Sequence, residues 1–260
     1  MITGRFAPSP TGPLHLGNLV AALGSWLFAR RANGRWLVRM EDLDAPRVVP
    51  GSAEEILEAL RRYELEWDGE VVFQSQRTAL YETALATLRE KNLVYDCGCS
   101  RADLQRAASA PLGGEAIYPG TCRNGLPPGR VARAIRFRAS DDSIAFDDRL
   151  CGRIEAKADD FIVRRADGVF AYQLAVVVDD ALQDVTQVVR GRDLLSSTPR
   201  QIALQRALGY PTPEYAHLPL VLNADGSKLG KRDGALPLPL LDDQKVSETK
   251  AWAMQFIASS

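Results

Sequence analysis

An α/β fold on a parallel sheet is predicted by three features of this sequence. Strand-length apolar runs alternate with helix-period patterns over residues 1–96. The order β-α-β-α-β-α leaves connections long enough for helical crossovers, which parallel strands require. The chain has 260 residues, 46% hydrophobic and 25% charged, so it can bury a core without disulfide staples.

Each element follows from its local pattern. Residues 2–7 read as a strand. Residues 15–32 read as a helix with Leu16, Val20, Leu23 and Leu27 on one face. A turn at Gly34 leads to a strand at 36–40. Ser52 and Glu55 have the spacing of a capping box, opening a helix that buries Ile56, Leu57, Leu60 and Tyr63. A third strand at 71–73 and a third helix at 79–90 complete the series.

Near Tyr95 the pattern changes. Residues 97–130 are rich in Gly, Pro and Cys, with one helix-like piece at 102–108. Strands are expected at 135–138 and 160–165, and Asp167-Gly168 carries a hairpin-turn signal. Helices are expected at 172–182 and 198–208, the latter with Pro199 in its first turn, and a buried strand at 186–190. The tail has weak pattern and one short amphipathic helix. The expected organisation is a catalytic half at 1–96, an inserted subdomain at 97–160, a second half at 161–236 and a tail at 237–260.

Bulk charge narrows the partners. The net charge of −1 gives little global attraction to a polyanion, so an RNA partner needs a local basic patch. Arg130, Arg133, Arg136 and Arg138 form one such cluster, although solvated surface charge is the commoner meaning of such runs. No apolar run is long enough to span a membrane, and the N-terminus has no signal-peptide core. A cytoplasmic monomer is the expectation. Four cysteines in that setting point to metal or catalysis before disulfides.

Two stretches suggest phosphate chemistry. "APSPTGPLHLGN" places a stiff Pro/Gly loop between a strand and a helix N-terminus, where unpaired amides favour an anion. Gly12 and Gly17 permit close backbone approach, and His15 can donate to a phosphate oxygen. "LNADGSKLGKRDGA" sets Lys228 and Lys231 in a glycine-flanked cationic loop suited to charge building on pyrophosphate. Each stretch alone also fits an ordinary turn or a solvated loop. Cys97, Cys99 and Cys122 supply three thiolates for a tetrahedral zinc site. Spacing leaves Tyr118, Asp96 and Cys151 open as the fourth donor, and donor softness alone favours Cys151.

Taken together, "PLHLGN" and "KLGKR" resemble the HIGH and KMSKS signatures of class I aminoacyl-tRNA synthetases. "RFAPSPTGPLHLGN" with "VRMEDLDAPR" is similar to the glutamyl and glutaminyl branch of that family. With no room for an anticodon-binding domain after KLGKR, the chain resembles its truncated paralogues, the glutamyl-queuosine tRNA(Asp) synthetases. The likeness covers residues 4 to about 236. It implies a Rossmann-type parallel sheet with an inserted zinc-containing α+β subdomain. It further implies ATP with Mg²⁺ and a structural Zn²⁺ as cofactors, and L-glutamate and the queuosine-containing anticodon loop of tRNA(Asp) as partners.

The resemblance assigns His15, Lys231 and Lys228 to catalysis, and His15, Gly17, Asn18 and Lys231 to ATP. Arg5, Phe6, Ala7, Pro8, Ser9, Glu41, Tyr172 and Arg190 fall to glutamate, with the arginines on its carboxylates and Glu41 on its ammonium. It gives Cys97, Cys99, Tyr118 and Cys122 as the zinc ligands. Gly230 stands where the family has a hydroxyl residue, and Asn18 where the HIGH signature ends in His. Rival readings are a minimal glutamyl-tRNA synthetase acting at the tRNA acceptor end and a non-catalytic zinc-containing RNA-binding paralogue.

Overall fold

The computed structural model describes residues 1–100, 102–103, 118–223, 226, 229, 236–238 and 242–258. Two sheets with parallel strands form its frame. In the first, β1 (Thr3–Phe6) pairs in parallel with β2 (Arg35–Met40), which pairs in parallel with β3 (Val72–Phe73). In the second, β9 (Gln187–Gly191) pairs in parallel with β10 (Glu214–Leu218), setting Arg190 beside His217. β10 touches β6 (Ser143–Asp148) in parallel at Tyr215 and Asp148, and β6 turns back as an antiparallel hairpin with β7 (Gly152–Lys157). The sheets adjoin where Thr186 N–H donates to the Thr3 carbonyl at 3.0 Å. A third, antiparallel sheet joins β4 (Val94–Cys97), β5 (Ala134–Phe137) and β8 (Ile162–Arg164).

Helix α1 (Leu16–Arg31) lies across β1 and β9 and also meets the last helix, α6 (Asp243–Ala258). Contact on both sides explains why its buried surface is wider than one stripe: Leu19, Ala22, Gly24, Ser25 and Ala29 join Val20 and Leu23. α6 runs for 16 residues, longer than the tail's weak pattern suggests. Its only buried residues are Val246 and Ala253, seven apart, so the apolar signal is thin.

Helix α2 (Ser52–Arg62) corrects one expectation. Gly51, with φ of +79°, is its N-cap, and Ser52 is the first helical residue. The Ser52 hydroxyl instead accepts from Gly12 N–H and donates to the Gly12 carbonyl, both at 2.9 Å. A tertiary partner has taken the side chain that local spacing assigned to a cap. Helices α3 (Thr78–Glu90), α4 (Tyr172–Leu182) and α5 (Thr198–Leu208) fall where their patterns place them. The β6–β7 hairpin was not expected: β7 has no buried residue, and in β6 the apolar Ala145 and the buried acid Asp148 blur the alternation. The helix-like piece at 102–108 lies outside the described residues beyond Ala102 and Asp103. No described helix is long and apolar enough to cross a membrane.

Candidate active site

A cavity of about 560 Å³ opens at the carboxyl ends of β1, β2, β9 and β10, on both sides of the junction of the two sheets. Strand ends beside such a junction are where open α/β sheets gather ligands, since neighbouring loops part there. Its walls include Arg5, Phe6, Ala7, Pro8 and Ser9 from β1 and the following loop, and His15, Gly17 and Asn18 from the start of α1. Glu41, Tyr172 and Arg190 complete the set that the sequence assigned to glutamate. Lys228 and Lys231 lie outside the described residues. Leu229, between them in sequence, lines the cavity together with Gly17 and Asn18.

The start of α1 fixes His15. Its Nδ1 accepts the Gly17 N–H at 3.1 Å, and the Asn18 side-chain oxygen accepts the His15 N–H at 3.1 Å, a reciprocal cap. An accepting Nδ1 puts the proton of the neutral ring on Nε2. A Cβ at position 17 would stand 3.0 Å from the His15 ring, so glycine is what lets the imidazole fold over the helix end. Asn18 therefore does capping work that needs only a short amide.

The two pocket arginines have different surroundings. Arg5 Nε donates to Asp180 at 3.2 Å, and Asp180 also accepts from Arg39 at 2.7 Å. Burial alone would raise the Asp180 carboxyl, but the Arg5 and Arg39 guanidiniums hold it below the usual carboxylate range. Asp179, one residue earlier, takes Tyr81 O–H, Gln74 N–H and Arg77 N–H, at 2.7, 2.9 and 2.6 Å. Arg190 differs: among the described residues, every one of its hydrogen-bond partners is neutral. These are His217, Gln201, Thr198, Tyr172 and the Leu194 carbonyl.

Glu41 completes the contrast. Among the described residues, its Oε1 is buried without a hydrogen-bond partner, and the nearest cation, Arg39, stands 3.8 Å away. Burial pushes its pKa up to about 7, against the pull of Arg39 and Arg5. An orphaned buried carboxylate oxygen is costly, and a cationic ligand group is one partner that would offset that cost.

The Asp179–Asp180–Arg39 network escaped sequence reasoning, as did His217 and Asp148. Its signal was present: Tyr172, Asp179 and Asp180 are seven and eight apart on one helix, so two acids share a face with a pocket aromatic.

The cysteine cluster sits at one end of the antiparallel sheet. The Cys97, Cys99 and Cys122 sulfurs lie within 4.8 Å of one another, with Cys99 and Cys122 at 3.7 Å. The Tyr118 hydroxyl is 3.5 Å from Cys97 Sγ and 3.6 Å from Cys99 Sγ. Donors around a tetrahedral zinc, at about 2.3 Å for sulfur and about 2.0 Å for oxygen, stand roughly 3.5–3.8 Å apart. The donor set fits such an ion. Arg136 donates to Cys97 Sγ at 3.3 Å and lies over the Tyr118 ring at 3.7 Å, favouring thiolate. Cys151, the softer alternative, is elsewhere: it occupies the β6–β7 turn with its thiol against the His217 carbonyl. Asp96 is exposed.

Residues 1–252 match the family model described as tRNA synthetases class I (E and Q), catalytic domain. The chain belongs to this class I synthetase family. Among its relatives is the glutamyl-Q tRNA(Asp) synthetase of Geobacter sulfurreducens, 57% identical over 243 residues that cover 91% of this chain and 77% of the relative. The enzyme of the same name from Thiobacillus denitrificans is 59% identical over 240 residues, covering 91% and 79%. A solved glutamate tRNA ligase from Elizabethkingia meningosepticum, in complex with its amino acid, superposes with a TM-score of 0.77 at 33% identity. That match covers 90% of this chain and 52% of the ligase, so this synthetase-family chain spans about half the length of that neighbour.

Proposed function

We propose that this class I synthetase activates L-glutamate with ATP and transfers it to queuosine in the anticodon loop of tRNA(Asp). The observation that carries the reading is the charge pattern of the cavity. Among the described residues, a buried Arg190 has only neutral partners and Glu41 has an orphaned buried oxygen, so the cavity suits a ligand with carboxylate and ammonium ends. Arg5 supplies a second guanidinium, and Tyr172 walls the space between. The names of its relatives support the choice of amino acid and of RNA acceptor.

The chemistry runs in two displacements. A glutamate carboxylate oxygen attacks the α-phosphorus of ATP, and the bond to pyrophosphate breaks. A queuosine hydroxyl then attacks the glutamyl-adenylate carbonyl and expels AMP. The first step needs alignment and neutralisation of phosphate charge, with no covalent enzyme nucleophile. His15, with its ring proton on Nε2, and the amides at the start of α1 face the phosphates. Lys231 is the main late-loop contact to ATP, Lys228 assists, and Mg²⁺ accompanies the nucleotide. Zn²⁺ is held by Cys97, Cys99, Cys122 and Tyr118, a closed set that confers structure. The protein acts as a cytoplasmic monomer.

ATP–pyrophosphate exchange with glutamate, glutamine and aspartate, followed by transfer to tRNA with and without queuosine, tests the reading. Exchange is expected with glutamate, and transfer only to queuosine-containing tRNA(Asp). No exchange with glutamate, or glutamate found as a 3′-terminal ester, overturns it.

A further inference from the structure

The neutral environment of Arg190 has a specific architecture. Its Nε–H donates to His217 Nε2 at 3.1 Å, across the β9–β10 register that pairs the two residues. Nη1 reaches Gln201 at 2.8 Å and Nη2 reaches Thr198 at 2.8 Å, both on α5. The remaining contacts, to the Tyr172 hydroxyl and the Leu194 carbonyl, are both 3.4 Å. The three buried contacts go to His217, Gln201 and Thr198, none of which lines the cavity. The two long ones go to residues that line the cavity.

An arginine has no acceptor, so His217 Nε2 must carry a lone pair where it meets Arg190. The ring proton then sits on Nδ1, where Asp148 Oδ2 accepts it at 2.6 Å. Asp148 is fixed in turn. Its Oδ1 accepts backbone N–H groups from Leu150, Cys151 and His217 at 3.0, 2.9 and 3.2 Å. His217 is fully enclosed, and burial together with the Arg190 charge pushes its pKa down to about 4. A protonated ring would turn an N–H towards Arg190.

We propose that His217 is a positioning residue of the amino-acid pocket: oriented by Asp148 as the Nδ1–H tautomer, it accepts Arg190 Nε–H and aims the outer guanidinium edge at the substrate carboxylate. The neutral ring leaves the arginine's charge uncompensated, so that the ligand is its counterion. An acid in the same place would neutralise Arg190 before substrate arrives. The proposal rests on the glutamate-pocket reading for the identity of the ligand, and its tautomer can be tested without it.

Three measurements decide it. With only two histidines in the chain, ¹⁵N correlation spectra of the ring nitrogens read the tautomer directly. Nδ1–H is expected for His217 at neutral pH, and Nε2–H overturns the proposal. In ATP–pyrophosphate exchange, His217→Asn keeps an amide near the Nδ1 position and loses the acceptor at Nε2. The expected result is a rise of about tenfold or more in KM for glutamate, with KM for ATP unchanged and kcat within about threefold. His217→Gln places an oxygen near Nε2 and should recover most of that loss. A glutamate KM within about twofold of wild type in His217→Asn, a parallel rise in the ATP KM, or no recovery in His217→Gln overturns it.

Asp148→Asn provides a route that leaves the imidazole in place. The three backbone donors keep an oxygen at the Oδ1 position, so the new amide nitrogen faces His217 Nδ1 and forces the proton to Nε2, against Arg190. The same glutamate-selective rise in KM is expected, and an unchanged glutamate KM overturns the proposal. Failure of the wild-type protein to exchange with glutamate would sink the functional reading, whereas the ring tautomer speaks to this inference alone.

Discussion

Glu41 shows how much one residue's surroundings can set. Its carboxyl is moved from an ordinary 4.5 to about 7 because burial outweighs the nearby arginines. If Glu41 meets the ligand ammonium as proposed, its ionised form is the binding one, so affinity for glutamate rises with pH as Glu41 loses its proton. KM for glutamate should fall about tenfold between about pH 6 and about pH 8, and Glu41→Gln should flatten that profile at weaker affinity. Stability runs the other way. A folded-state pKa above the unfolded value favours folding below about 4.5 and loses that favour as pH rises through about 7. The shift corresponds to roughly 3 kcal/mol, so Glu41→Gln should be more stable than wild type at pH 8 in chemical denaturation. Equal stability there would show that Glu41 is not strained by its burial.

Among the elements, the opening loop is held by a helix distant in sequence. The Ser52 hydroxyl bonds both the N–H and the carbonyl of Gly12, whose φ of +116° places it in a backbone region that suits glycine. Ser52→Ala removes both bonds from a buried setting and should cost about 2 kcal/mol in denaturant unfolding. On the proposed role of His15 at the ATP phosphates, it should also raise the ATP KM, because the loop leads directly to His15. A change under about 0.5 kcal/mol would assign the loop's shape to its prolines instead. Local spacing alone marks Ser52 as a cap. Capping is a local rule, and here a bond across 40 residues competes with it and wins.

Across the molecule as a whole, the active cavity and the cysteine cluster belong to different sheets. None of Cys97, Cys99, Tyr118 and Cys122 lines the cavity. Cys122→Ser should therefore lower bound zinc, measured by elemental analysis, and lower Tm by at least about 4 °C. Glutamate-dependent exchange should stay within about threefold of wild type. Loss of exchange in a protein that remains folded would tie the cluster to the chemistry.

Residue patterns over short spans were enough to read the helices α1, α3, α4 and α5, the strands β1, β2 and β9 beside the cavity, the three cysteines and the glycines beside His15; β10, the fourth strand there, carried no such expectation. Each depends on interactions within a few residues, or on a motif whose two halves are each contiguous. The fourth member of the cysteine cluster shows the limit. Donor softness favoured Cys151, but chain folding carries that thiol to His217 and brings Tyr118 to the other three. Of the pocket's charge logic, local spacing shows only that Asp179 and Asp180 share a helix face with Tyr172, and not which arginine they meet. Arg5 shares Asp180 with Arg39, while Arg190 leans on a neutral histidine oriented by Asp148 at the end of a distant hairpin. Short-range pattern thus established most of the helices, the strands β1, β2, β3, β5, β8 and β9, and the reactive residue types they carry, but not β4, β6, β7 or β10. Folding in three dimensions chose which arginine has an acid beside it. That choice depends on pairing between strands and helices far apart along the chain, which local spacing does not record.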